Sequence, residues 1–396
     1  MSNASIPAHV PPSVVRDFDY LDTRGETDFF VSHRKAQQDA DIFYTPRNGG
    51  HWVVTRYADM HEIIGNHTQF SSYYSSLPKS PVNILLLESD EPLHGEYRKL
   101  MMPFFTPKYV GDLEQRAVDL TAALIDGFYA DGECDFTHDF AEKMPIYILM
   151  SLLDLPLSDR PELLQFSDDM VRAADPAVLE SAFAKLADYV GGKVLPARRA
   201  SPGKDLFTAM LNGRIESGRA LNQEELVVLG CLMIAAGVET VASMLSFIAM
   251  FLARNPSHRR QLLQQPDNIK HALEELMRRF HITVSARVVI EDMRYNGVDF
   301  KAGDIVQLLG TVAGLDERRY PDPFTVDFER EDNRHLVFGR GTHQCIGSFL
   351  ARTELRVFLT QWLERIPEFR IKEGTTPVLV PGKTCGVRSL HLAWDT

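Results

Sequence analysis

The chain has 396 residues, a net charge of −12, and 24% charged against 44% hydrophobic residues. That balance is ordinary for a soluble globular protein and excludes a disordered chain, a collagen or a long coiled coil. The acidic excess argues against a nucleic-acid binder, which carries a basic stripe or surplus. Four cysteines without a C-x-x-C pair exclude a disulfide scaffold and fit a reducing, cytoplasmic compartment.

The opening segment MSNASIPAHVPPSVVRDFDYLD has no basic stretch followed by an apolar run, so no signal peptide is expected. Residues 1–20 read as an extended N-terminal segment. There is no internal repeat, low-complexity tract or charge run, and the proline-rich pieces at 7–12 and 76–81 are too short for linkers. A length prior of roughly 150 residues per domain suggests two or three domains. The even texture of the chain instead predicts a single one over 1–396.

Helical periodicity dominates. Helices are expected at 57–65, 93–101, 108–130, 161–171, 179–195, 205–212, 222–254, 267–279 and 345–366. Short strands are expected at 51–55, 286–291, 298–300, 305–309 and 390–393, with 286–291 and 298–300 paired around the turn signal Tyr295-Asn296-Gly297. The expected class is mainly α with small peripheral sheets.

The segment 222–254 is the most informative. Asn222 followed by Glu225 forms a capping-box pattern, and Asn255-Pro256 stops the helix. Between them the sequence is apolar on nearly every face, which fits a membrane span or the central helix of a soluble protein. Glu239 and Thr240 near its middle favour the core, because a lone carboxylate in lipid costs about 3 kcal/mol or more. Gly237, Glu239 and Thr240 then need a reason: glycine costs about 1 kcal/mol in a helix relative to alanine, and a buried acid needs a partner or a task.

A second cluster is Phe338-Gly339-Arg340-Gly341-Thr342-His343-Gln344-Cys345-Ile346-Gly347. Its glycines let the backbone loop tightly around one cysteine. A helix starting after it places Cys345 near a positive dipole end, which favours the thiolate as nucleophile or metal ligand. A buried structural cysteine beside a glycine turn would leave most of the decapeptide unexplained.

The pattern Phe338-x-x-Gly341-x-His343-x-Cys345-x-Gly347 resembles the haem-binding loop of the cytochrome P-450 monooxygenases. Ala236-Gly237-Val238-Glu239-Thr240 resembles that family's oxygen-activating A-G-x-[DE]-T. Glu275-Leu276-Met277-Arg278 resembles its E-x-x-R pair, with Asp327-Phe328-Glu329-Arg330 as the segment that locks against it. His94-x-x-x-Arg98 is similar to its haem-propionate contact. Near-matches at 48–52, 314–318 and 392–395 bring the chain closest to the bacterial camphor-hydroxylase type.

The resemblance implies a cytochrome P-450 fold around haem b, with Cys345 as axial thiolate. His94, Arg98, Arg287 and His343 would face the propionates, and Phe338, Gly339, Ala236 and Gly237 would line the haem. Thr240 would hydrogen-bond bound dioxygen, and Glu239, where the camphor type has Asp, would relay protons. Glu275, Arg278 and Arg330 would form a structural network holding the thiolate loop.

It also implies a separate [2Fe-2S] ferredoxin and reductase as electron source, since the haem unit uses the whole chain. Arg98, Arg340, Arg352 and Arg356 would be the basic patch that steers the acidic ferredoxin, although Asp332 replaces a usual basic residue. No nucleic acid or membrane is implied, and the expected state is a monomer.

For the substrate, Val82 stands where the camphor type places a hydroxyl donor. Tyr73 and Tyr74 could replace that donor from another direction. Leu232, Ala235, Thr283 and Thr384 make an apolar wall, with Lys383 beside Thr384. The expectation is a small terpenoid or norisoprenoid, ionone-like rather than camphor. The alternative function is a non-catalytic haem-binding or gas-sensing protein.

Overall fold

The computed structural model describes residues 4–23, 25, 27–75, 77, 83–172, 176–215 and 218–396. The N-terminal segment is irregular apart from one 3-10 turn, and it is tied down where the Arg16 amide donates to the Tyr44 carbonyl at 2.8 Å. Helix α1 (Phe29–Asp39), absent from the sequence expectation, starts at Asp28, whose carboxylate caps the Phe30 amide. Strands β1 (Ile42–Thr45) and β2 (His51–Val54) form an antiparallel hairpin. Then come α2 (Tyr57–Gly65), β3 (Phe70–Ser71), α3 (Leu93–Met101) and α4 (Pro107–Asp126). Helix α4 ends earlier than the expected 130, at Gly127, and a separate 3-10 turn follows over Tyr129–Asp131.

Next are β4 (Glu133–Asp135), α5 (Lys143–Leu152), α6 (Arg160–Arg172) and α7 (Pro176–Asp188). The expected continuous helix 179–195 loosens into a π-helical segment, Tyr189–Val194, around Gly191-Gly192 before α8 (Leu195–Ala200). After α9 (Leu206–Asn212), helix α10 (Gln223–Arg254) runs 32 residues with both halves of its capping box formed. Helices α11 (Pro256–Gln264) and α12 (Ile269–Arg279) precede β5 (Ser285–Val289), β6 (Met293–Tyr295), β7 (Val298–Phe300) and β8 (Ile305–Leu308). The turn at Asn296-Gly297 joins β6 to β7, and β5 pairs with β8 instead. The expected pairing of 286–291 with 298–300 is therefore wrong: the turn residues read correctly, but the first strand of the hairpin is β6, not β5. Helix α13 (Ser348–Arg365) is followed by β9 (Arg370–Ile371), β10 (Val378–Val380), β11 (Gly386–Ser389) and β12 (His391–Ala393). The fold is mainly α with small sheets.

Contacts divide the chain into two compact units, each discontinuous in sequence. The first comprises residues 1–90, 274–345 and 379–386. Its centre is a five-stranded sheet in the order β1-β2-β8-β5-β3, with β2 parallel to β8. Trp52, Val53, Val54, Val306 and Leu308 form its buried middle. The second comprises 91–273, 346–378 and 387–396. Within it α10 packs against α5 and α13, and α4 packs against α13 and α5. A three-stranded sheet, β4-β12-β9, closes one side. By length and composition α10 could cross a membrane, but 56% of its most apolar window is buried in protein, as in a core helix.

Candidate active site

In the first unit, the loop before Cys345 folds as its glycines require. Gly339 and Gly341 adopt φ of 62° and 69°, the left-handed region that a side chain resists. The Cys345 amide donates to the Phe338 carbonyl at 2.8 Å, closing the loop, and the Gly339 amide donates to Leu336 at 2.8 Å. None of the four cysteines is in a disulfide; Cys134, Cys231 and Cys385 are buried, and Cys345 alone is exposed. Helix α13 begins at Ser348 rather than at the expected 345, because Gly347 serves as its N-cap. Cys345 thus belongs to the loop and not to the first helical turn. His343, half-buried, ends a 3-10 turn from Gly341.

Arg287 on β5 is buried. Its Nη1 donates to the Ala286 carbonyl at 2.8 Å, the one hydrogen bond it makes among the described residues. Burial pulls its guanidinium down to about 10, against a weak opposing pull from Asp90. Such a group, with five donors and one acceptor, calls for an anion. A haem propionate meets that need.

In the second unit, α3 carries His94 and Arg98 one turn apart on one face. His94 is buried, with Nδ1 3.0 Å from Glu91 Oε1. Between them Tyr97 donates its hydroxyl to Glu225 Oε1 at 2.7 Å. Glu225 is the capping glutamate of α10 and also takes Arg219 at 2.7 Å on each oxygen. Arg219 first, with further donors at Asn222 and Tyr97, holds Glu225 down to about 2. Sequence reading missed Tyr97 and Arg219; the only available signal was the capping pattern at Asn222.

Helix α10 is buried from Leu229 to Ile234 and from Val241 to Met250, yet Ala235, Gly237, Glu239 and Thr240 are half-exposed and Ala236 is exposed. A window of small and polar residues thus opens in an otherwise covered helix. The Thr240 hydroxyl donates to the Ala236 carbonyl at 2.8 Å, leaving its oxygen lone pairs to accept. A Cβ added to Gly237 would meet only Leu149 Cδ1 at 3.6 Å, an ordinary contact. No protein atom therefore demands glycine there, and the open space beside the helix is what it preserves.

The family model described as cytochrome P450 matches residues 177–388. The chain belongs to the cytochrome P450 family. It is 34% identical over 403 residues to probable cytochrome P450 127A1 of Sinorhizobium fredii, covering 98% of this chain and 97% of that protein. It is 31% identical to the steroid C26-monooxygenase of Mycolicibacterium smegmatis, covering 83% and 84%. Among solved structures it matches CYP101J2 with a TM-score of 0.90 at 34% identity, over 99% of this chain and 100% of that one. It matches cytochrome P450 CYP101C1 with 0.91 at 31% over the same shares. The protein is a P450 monooxygenase whose cofactor is haem b and whose reaction uses dioxygen, a substrate and a redox partner. The exposed thiol of Cys345 and the buried, under-satisfied Arg287 fit that cofactor.

The remaining expected site residues of this P450 fall as follows. Glu275 and Arg278 are fully buried, joined by Arg278 Nε to Oε2 at 2.7 Å and Nη2 to Oε1 at 2.9 Å. Arg330 Nε and the Asp327 amide reach the same Oε1 at 3.1 and 3.0 Å. Arg278 also donates to the carbonyls of Gly314, Pro323 and Thr325. These bonds fasten the segment 314–330 to α12. Gly314 is obligatory: a Cβ there would lie 1.8 Å from the Arg278 carbonyl oxygen.

Thr283 and Thr384 face each other in an isolated antiparallel bridge, with Thr283 Oγ1 3.0 Å from His281 Nε2. Tyr73 is 54% exposed and Tyr74 packs partly into the sheet core. Leu232 is buried, and Val82 lies outside the described residues. Of the expected basic patch, Arg356 is engaged by Glu114 at 2.7 Å and Arg340 by the His61 ring and carbonyl. Asp332 is held far below the usual carboxylate range by Arg334 and Arg319.

Proposed function

We propose that this P450 hydroxylates a small apolar terpenoid or norisoprenoid, ionone-like in preference to camphor, with a [2Fe-2S] ferredoxin as electron donor. The observation that carries the haem-thiolate reading is Cys345: one exposed thiol on a glycine-shaped loop, while the other three thiols are buried. Haem held through such a thiolate would supply dioxygen activation. The balance is one dioxygen, two electrons and two protons per substrate, one oxygen atom entering a C–H bond and the other leaving as water.

The chain's own residues then have assigned tasks. Arg287, His94, Arg98 and His343 would hold the propionates, and Phe338, Gly339, Ala236 and Gly237 would line the haem. Thr240, its proton committed to the Ala236 carbonyl, offers Oγ1 as acceptor and orients a proton donor. Glu239, half-exposed one residue earlier, passes protons from solvent to it. Glu275, Arg278 and Arg330 are structural. A monomer in the cytoplasm is the state proposed.

The substrate preference rests on the apolar Leu232 and Ala235 and on the hydroxyls of Thr283 and Thr384. The names of relatives also support a substrate larger than camphor: vitamin D(3) 25-hydroxylase and steroid C26-monooxygenase. Val82 offers no hydroxyl for a ketone, and losing one buried hydrogen bond costs about 0.5–1.5 kcal/mol of affinity together with orientation. Titration of the holoprotein with camphor and with β-ionone, following the low-to-high-spin Soret shift, tests this. A larger shift at lower concentration is expected with ionone. A complete shift with camphor and none with ionone overturns the substrate assignment.

A further inference from the structure

Besides the Glu275 network, a second carboxylate of α12 reaches the segment that leads into the thiolate loop. We propose that Glu274 and His335 form this second anchor and that both are positioning residues for Cys345. The inference rests on the reading of Cys345 as the haem thiolate.

Glu274 Oε2 lies 3.1 Å from His335 Nε2. The His335 side chain is 5% exposed and that of Glu274 is 29% exposed. On the other side of the ring, the Val337 amide donates to His335 Nδ1 at 3.3 Å. A backbone N–H can only donate, so Nδ1 must be the unprotonated nitrogen. The proton therefore sits on Nε2 and is donated to the Glu274 carboxylate, a charge-assisted bond. One imidazole thus joins a helix carboxylate to the backbone two residues further on.

The connection continues to the cysteine itself. The Phe338 ring packs on His335 with centroids 5.9 Å apart. The Phe338 carbonyl accepts the Cys345 amide at 2.8 Å. On the other flank, the Tyr320 hydroxyl donates to the Arg334 carbonyl at 2.5 Å, fixing the backbone just before His335. Glu274 and Glu275 are consecutive on one helix, yet they do different work. Glu275 neutralises a fully buried arginine, while Glu274 orients the imidazole that sets where the loop begins. An imidazole held at both nitrogens cannot rotate, so the Val337–Phe338 backbone keeps the position from which it holds Cys345.

The test uses purified holoproteins of the parent, Glu274→Ala, Glu274→Gln and His335→Gln. The fraction of the reduced carbon monoxide complex with the red-shifted thiolate Soret band is followed over time at fixed temperature, beside the calorimetric Tm. Glu274→Ala should lose the thiolate form about tenfold faster than the parent, a factor typical of one charge-assisted bond, with Tm little changed. Glu274→Gln keeps an acceptor for Nε2–H and should stay near the parent. His335→Gln keeps a donor to Glu274 where Nε2 stood but places no acceptor at the Nδ1 position that the Val337 amide uses; it should fall between, and it carries the test if Glu274→Ala does not fold. Three outcomes overturn the anchor: parent-like decay in Glu274→Ala or His335→Gln, equal decay in Glu274→Gln and Glu274→Ala, or decay that merely follows a lowered Tm. A parent without the thiolate band overturns the Cys345 reading instead, so the two failures are told apart.

Discussion

Replacing Glu275 by alanine should destabilise this P450 more than almost any other substitution outside the haem contacts. Arg278 uses every donor it has: Nε and one Nη2 proton go to Glu275, both Nη1 protons to Gly314 and Pro323, and the second Nη2 proton to Thr325. Both side chains are wholly buried. Removing the carboxylate leaves a guanidinium in the core with its charge uncompensated, and it also strips Arg330 Nε and the Asp327 amide of their acceptor. Breaking a buried pair from one side costs about 3–5 kcal/mol. With an unfolding entropy of about 2.1 cal/mol/K per residue, a chain of 396 residues has about 0.8 kcal/mol/K. The expected fall in Tm is therefore about 4–6 °C by calorimetry. Adding Arg278→Met to Glu275→Ala should recover part of that loss, because the unpaired charge goes with it. A fall of less than about 1 °C in Glu275→Ala, or a double variant as unstable as the sum of the singles, refutes the buried-charge argument.

Cys345→Ser should abolish the thiolate Soret band of the reduced carbon monoxide complex, whereas alanine at Cys134, Cys231 or Cys385 should leave it intact. Thr240→Ala should keep consuming reducing equivalents while releasing peroxide in place of product, measured as product per electron pair; Thr240→Ser should restore coupling. Tyr97→Phe leaves Glu225 and Arg219 paired and removes one hydrogen bond, so a Tm loss worth about 1 kcal/mol is expected. His33, His51 and His281 are buried and held neutral, pushed by desolvation to about 4, 4 and 3 from an ordinary 6.5. The unfolded chain takes up these protons first, so the stability is full above pH 6.5 and is lost as pH falls towards 4. Tm should drop over that window, and His33→Gln should make the drop shallower.

Much of the fold was legible because local signals agreed with the tertiary outcome. Helix α10 combines a capping box with apolar residues all round, and α2 and α3 coincide with their expected spans. Helices α1, α5, α8 and α11 were missed. Helix α1 carries polar residues with a weak apolar face, and α5 and α11 have prolines near their starts that read as breaks, although proline is tolerated in a first turn. The β5 partner was misread because strand pairing between residues some 20 apart leaves no local trace. The π segment at Gly191-Gly192 needed the packing of Val227 and Val190 to declare itself, since a Cβ on Gly191 would sit 3.1 Å from Val227 and one on Gly230 2.8 Å from Val190.

At the site, spacing exposed the residues whose chemistry is rare: a cysteine between glycines, an acid and a hydroxyl in an apolar helix. What spacing could not supply was direction. Consecutive residues on a helix point about 100° apart, so the adjacent Glu274 and Glu275 serve two different neighbours. Glu275 pairs with the fully buried Arg278, and Glu274 turns to the largely buried ring of His335. The sequence pattern singles out Glu275 because an arginine follows at i+3. The partner of Glu274 lies 61 residues away, and only the folded chain brings it within reach. The same reasoning bears on Arg287, which the family resemblance picked out in sequence and whose need for an anion shows once it is buried with one side-chain acceptor among the described residues. Functional residues that act through a neighbour become visible at the level of packing, where an unmet donor or an over-determined ring orientation points to the group it serves.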